Sequence, residues 1–220
     1  MKRRRDMEKD SEVRSAIEEL SMLVKINHND NYEVALIPTK PFLYVCKLVL
    51  QVLDKIGPTM AVLRQDIHQN IQRLEMMHES NPSMYSNLLE ILKKEQIEGN
   101  AKKGNTCSKS FVWLTRSVGF ATTLLQKLVT DPGQNMEQAV EECYNITLKP
   151  WHGWISSAAS KVALKLVPDG KAFIELLMTK DKNYDSLKVE MHTLISLLVP
   201  FLEELHSIQR VYDLDKLKSI

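Results

Sequence analysis

The apolar residues of this chain recur in steps of three and four, and that period constrains its fold more than any other feature. Met60, Leu63, Ile67, Ile71 and Leu74 mark one such stripe, and Val13, Ile17 and Leu20 another. This spacing puts side chains on one face of an α-helix, whereas a half-buried strand needs alternation with a period of two. No β-branched alternating run of useful length occurs, and no repeat is visible. Breakers cut the pattern at Gly57-Pro58-Thr59, Asn81-Pro82, Asp131-Pro132-Gly133, Pro150 and Pro168-Asp169-Gly170. The segments between them predict helices over Phe42 to Ile56, the Met60 stripe, a stretch opened by Asn81-Pro82, Ser110 to Val129 and Met136 to Leu148. Ala172 to Met178 and Leu187 to Val211 complete the set, and Ser11 is placed to cap the first helix. Residues 100–108, basic and containing glycine, predict a flexible loop. The expected architecture is all-α, with about eight helices. Residues 1–37 read as a partly helical N-terminal extension and 38–220 as one domain.

Charge and composition exclude several functions. Among 220 residues, 29 basic and 28 acidic side chains leave a formal charge of +1. A protein that wraps nucleic acid needs a surplus of Lys and Arg, so no nucleic-acid partner is expected. The longest apolar run, Leu194 to Leu202, contains Ser196 and Pro200 and falls short of the roughly 18 residues of a membrane span. The basic start, Met1 to Arg5, is not followed by the apolar core of a signal peptide, so the expected location is cytoplasmic. Cys46, Cys107 and Cys143 form no C-x-x-C pair and read as free thiols. The six histidines contain no i, i+3 or i, i+4 pair, so no metal site is expected and no cofactor is implied. Phosphate-binding, dinucleotide, zinc-hydrolase and nucleophile-elbow motifs are absent, and the chain does not read as an enzyme.

Three places stand out against this background. Asp66, Asn70 and Arg73 fall within a narrow arc of one helix, beside the stripe Ile67, Ile71 and Leu74. Together they offer an acceptor pair, a mixed amide and a five-donor fork, an inventory that suits a headgroup rich in hydroxyls. A solvated helix edge held by i, i+3 and i, i+4 contacts accounts for the same spacing. Lys149-Pro150-Trp151-His152-Gly153-Trp154 packs two of the chain's three tryptophans around His-Gly. It reads equally as a binding corner or as a helix-packing corner with a core histidine. Trp113, near the start of the long helix, is either a core anchor or an indole face on which a sugar ring can stack.

Taken in order, Asp66-x-x-x-Asn70-x-x-Arg73, Trp113-Leu114-x-Arg116 and Trp151-His152-Gly153-Trp154 resemble the glycolipid transfer proteins. The likeness runs from about Lys40 to about residue 205. It implies a two-layer sandwich of about eight helices enclosing a tunnel for lipid chains. It further implies that Asp66 accepts from a sphingolipid amide N–H and His152 donates to the amide carbonyl. Asn70 and Arg73 would then hold sugar hydroxyls, Trp113 would serve as the stacking platform, and Trp154 would touch the membrane at the tunnel mouth. The partners so implied are a glycosphingolipid and, transiently, a membrane surface, with the carrier itself a monomer.

The sequence departs from the resemblance at two points. Position 73 is Arg where many glycolipid carriers have Lys, a change of donor geometry at constant charge. The sister branch, carriers of ceramide-1-phosphate, has Lys at the position of Asn70 and two Arg four residues apart, the second replacing the tryptophan. Asn70 and Trp113 side with sugar, yet Lys109 stands where the first of those Arg would be. The leading expectation is a glycosylceramide carrier. The alternatives are a phosphosphingolipid carrier or lipid sensor using Lys109 and Arg73, and a helical protein-interaction adaptor.

Overall fold

Polar side chains at helix N-termini fix where each segment begins. Ser11 Oγ accepts from the Arg14 N–H at 3.2 Å, as its position predicts. Asn87, Thr106, Asn135, Asp169 and Asn183 do the same for Leu89, Lys109, Gln138, Ala172 and Ser186. Each such cap satisfies an N–H that has no intrahelical partner and contributes about 1 kcal/mol. The structure, a computed structural model, describes residues 11–29, 36–152, 162, 165–178 and 183–218.

Among the described residues lie eight α-helices: α1 (Glu12–Asn29), α2 (Thr39–Ile56), α3 (Ala61–Ser80), α4 (Leu88–Ile97), α5 (Cys107–Thr130), α6 (Met136–Thr147), α7 (Gly170–Leu177) and α8 (Tyr184–Val211). Short 3-10 turns at Pro58–Met60, Met84–Ser86 and Lys149–Trp151 link them. Boundaries shift where tertiary contacts supply what the local pattern lacks. The segment after Asn81-Pro82 first makes a 3-10 turn, and its helix begins only at Leu88, whose N–H is claimed by the Ile37 carbonyl at 2.9 Å. The expected loop over 100–108 ends early, because α5 starts at Cys107 under the Thr106 cap. α8 continues through Pro200.

The helices close a ring. α1 packs on α2, α2 on α3, α3 on α5, α5 on α8, and α8 returns to α1. α5 also touches α2, α4 and α6, while α7 lies on α2. Val13, Ala16, Leu20 and Leu23 of α1 are buried in the same core as Leu187, Met191 and Leu194 of α8. At the centre Phe42 and Phe111 are fully buried with ring centroids 5.7 Å apart. Burying each phenyl ring contributes roughly 1.5–3 kcal/mol.

Candidate functional site

Inside the ring the side chains do not fill the space. A cavity of about 230 Å³ is lined by Val45, Leu48 and Val52 of α2, Phe173 of α7, and Leu194 and Leu198 of α8. On α5 the lining runs Trp113, Ser117, Ala121, Leu125, a four-residue step that keeps one face toward the void. At 1.5 Å per residue this stripe is about 18 Å long. Among the described residues Met60 is the one methionine in the lining, and the described wall is mainly stiffer Leu, Val and Ile. Polar groups gather where Asp66, Trp113, Tyr144 and His152 meet the cavity, and Asp66 there is open to solvent.

The α3 residues come together through the i, i+3 and i, i+4 contacts that helix spacing predicts, with Asp66 exposed. Asn70 is only 8% exposed. Its Nδ2 donates to the Asp66 backbone carbonyl at 2.9 Å, and its Oδ1 accepts from Arg73 Nη1 at 3.3 Å. Arg73 Nη1 also donates to Ser110 Oγ of α5 at 2.6 Å, which ties α3 to α5. Asn70 therefore orients Arg73 as well as offering its remaining amide hydrogen. Although Asp66 is exposed, neighbouring protein partly desolvates its carboxyl and pushes it above the usual carboxylate range, against the pull of the Arg73 guanidinium.

His152 lies between two aromatic rings. Its ring centroid is 5.3 Å from that of Trp113 and 5.5 Å from that of Tyr144. Tyr144 Oη is 3.1 Å from His152 Nδ1. When the hydroxyl donates to Nδ1 the ring proton sits on Nε2, and in the other tautomer Nδ1–H donates to the hydroxyl oxygen. Burial lowers the imidazole's affinity for a second proton, and the Arg116 guanidinium lowers it further. The ring is thus kept neutral at pH 7. Tyr144, which the sequence reading passed over, carries only the weak signal of an aromatic eight residues before His152.

Two further side chains stand at this end of α5, and the first of them holds it. Glu95, 5% exposed, accepts from the Cys107 N–H at 2.8 Å, the Ser108 N–H at 2.7 Å and Ser108 Oγ at 2.6 Å. A carboxylate there satisfies orphan donors and complements the positive end of the helix dipole. Nothing in the sequence marks Glu95, because its partners lie across a loop. Lys109 is half-buried and has no hydrogen-bond or ion-pair partner for its ammonium among the described residues. Trp154, the expected membrane contact, lies outside the described residues. Among the described residues no group of acidic, His and Cys side chains is arranged to hold a metal ion. No helix there is long and apolar enough to cross a membrane.

An all-α ring around an apolar cavity, with acceptors, donors and an indole at its mouth, is the architecture of a lipid carrier. The glycolipid transfer protein (GLTP) family model matches residues 37–179, and the chain belongs to that family, whose members transfer lipids and are not enzymes. Glycolipid transfer protein 3 of Arabidopsis thaliana is 55% identical over 215 residues, covering 95% of this chain and 92% of the relative. Glycolipid transfer protein 2 of the same plant is 50% identical across the whole of both chains. A solved structure concerned with how FAPP2 selects simple glycosphingolipids using the GLTP fold superposes with a TM-score of 0.76 at 26% identity, covering 87% of this chain and 93% of that one. A mutant of Arabidopsis ACD11 complexed with C12 ceramide-1-phosphate gives a TM-score of 0.80 at 16% identity, covering 93% and 98%. That second likeness speaks to fold alone. The fold is the two-layer GLTP sandwich, and lipid transfer sets aside the adaptor alternative.

Proposed function

We propose that the chain binds a glycosylceramide and carries it between membranes through the cytosol. The observation that carries this reading is that Asp66, Trp113 and His152 all line one apolar cavity, with Trp113 and His152 in ring contact and Asp66 exposed. Neutral His152, in the tautomer that carries its proton on Nε2, suits the ceramide carbonyl, and the Asp66 carboxylate suits the amide N–H. Arg73, held by Asn70 and Ser110, presents ordered donors to sugar hydroxyls, and the Trp113 indole offers a stacking face. The names of the two plant relatives and of the FAPP2 structure agree with a sugar headgroup.

The physical task is a barrier problem. Each methylene exposed to water costs about 0.8 kcal/mol, so the roughly 30 methylenes of a ceramide make spontaneous departure from a bilayer very slow. A carrier replaces that exposure with packing against a wall of Leu, Val and Ile. The chains supply affinity and the headgroup contacts supply selection, because a polar group left unpaired at the mouth costs about 1–3 kcal/mol.

One observation favours a second reading, a ceramide-1-phosphate carrier: Lys109 is half-buried, without a partner for its ammonium among the described residues, and one helical turn before Trp113. Vesicle-to-vesicle transfer of labelled glucosylceramide, with unlabelled glucosylceramide or ceramide-1-phosphate as competitors, separates the two. The sugar reading expects Asp66→Val and Trp113→Ala to abolish transfer and Lys109→Leu to leave it intact. Wild-type transfer in Asp66→Val or Trp113→Ala sinks the site assignment. Strong competition by ceramide-1-phosphate that vanishes in Lys109→Leu establishes the second reading instead.

A further inference from the structure

Arg116 is the charged side chain that the headgroup reading leaves unused. It is 5% exposed, yet it packs beside Trp113, which lines the cavity, and Trp151, its guanidinium carbon 4.9 Å from the first ring centroid and 4.2 Å from the second. Its two terminal nitrogens reach the far end of the chain. Nη1 donates to the Leu217 carbonyl at 2.7 Å and Nη2 to the Asp215 carbonyl at 3.0 Å.

The C-terminal segment is folded back to receive these bonds. Asp213 adopts a left-handed φ of 52°, which reverses the chain as it leaves α8. Its carboxylate pairs with Lys102, and Leu214 is buried with its N–H on the Gln209 carbonyl at 2.7 Å. Leu217 packs against the core. Apolar packing alone would dock such a segment. Burying a guanidinium instead is costly, and desolvation brings Arg116 down to about 10 despite the Asp215 carboxylate nearby. What the guanidinium adds over a leucine is simultaneous contact with two indoles and two carbonyls. Its planar fork of five donors suits that task, where an ammonium would not.

We propose that Arg116 is a positioning residue that fastens segment 214–217 to the Trp113 and Trp151 rings, so that headgroup selection depends on a docked C-terminus. The proposal rests on the headgroup reading above. It predicts that loosening the segment degrades discrimination between lipids with and without a sugar, while the apolar cavity still accepts chains.

The test uses the full chain and vesicles of phosphatidylcholine doped with either glucosylceramide or ceramide, measuring the ratio of the two lipids taken up. Arg116→Lys keeps the charge and loses the fork, Leu217→Asp frees the segment without touching Arg116, and Trp113→Ala removes the platform. Arg116→Lys and Leu217→Asp should each lower the ratio about tenfold, the scale of a lost charge-assisted hydrogen bond, with ceramide uptake little changed. Hydrogen exchange at the Leu214 and Leu217 amides should quicken in both variants. Combining Arg116→Lys with Trp113→Ala should give no further loss, as expected of residues acting as a unit. Faster exchange with an unchanged ratio, while Trp113→Ala lowers it, overturns the proposal and leaves the headgroup reading standing. Equal loss of both lipids reduces Arg116 to a fold-stabilising role and also overturns it. A wild-type ratio in Trp113→Ala removes the headgroup reading and the proposal together.

Discussion

Ala121→Phe separates stability from transport. Ala121 lines the cavity on the stripe that begins at Trp113, about 12 Å further along α5 at 1.5 Å per residue. An unfilled apolar void of about 230 Å³, at about 24 cal/mol per Å³, withholds up to about 5.5 kcal/mol from the lipid-free protein. A phenyl ring placed there fills part of the void and gains roughly 1–3 kcal/mol of burial. For a chain of this size that raises the melting temperature by about 2–12 °C. The same ring blocks the path of a lipid chain beyond the mouth. Transfer of long-chain glucosylceramide should fall at least about tenfold, since the chains supply most of the affinity at about 0.8 kcal/mol per methylene. Denaturation of lipid-free protein, together with a fluorescence transfer assay, reads both quantities on one variant. A variant less stable than wild type, or as stable but transferring at the wild-type rate, would refute the reasoning that this void holds lipid.

Three other expectations follow from the site. Asp66→Asn removes a carboxylate whose ionisation the folded state disfavours, so the variant should match or exceed wild-type stability at neutral pH. That advantage should shrink as the pH falls toward the ordinary carboxylate value of 3.8, while glucosylceramide uptake at neutral pH falls about tenfold. His152 binds its second proton less readily when folded, so NMR should find it titrating below 6.5, and its contribution to stability should be complete above 6.5 and decline as pH falls through the lowered value. In Arg116→Gln the same resonance should move toward 6.5, and a titration unmoved by that change would contradict the placement of the guanidinium beside the imidazole. Glu95→Gln points an amide donor at N–H groups of the α5 terminus and should cost about 3 kcal/mol, lowering the melting temperature by about 6–12 °C in calorimetry.

The elements of the site were legible to different degrees, for physical reasons. Asp66, Asn70 and Arg73 were readable as a group because they share one helix, where spacing alone fixes a common face. Their state was not. The Asn70 amide bonds the Asp66 carbonyl and Arg73 is shared with Ser110, because α5 packs against them from a distant part of the chain. Trp113 and His152 were each open to a packing or a binding reading, and the structure brings them within ring contact at the cavity. Tyr144 and Glu95 escaped notice because each acts on a partner that helix spacing does not predict: a ring beyond the end of α6, and backbone amides across a loop.

By itself the sequence determined that the chain is helical, where most helices break, and which residues face inward, since periodicity and breakers are local properties. It also carried the family likeness, an ordered set of short motifs. Only the tertiary structure decided that those inward faces stop short of filling the ring and leave a cavity, because a void depends on the distances between helices. Only it turned the end of the chain back onto Arg116, beside Trp113. Local patterns specify surfaces; the arrangement of helices decides which surfaces meet and which are left for a ligand.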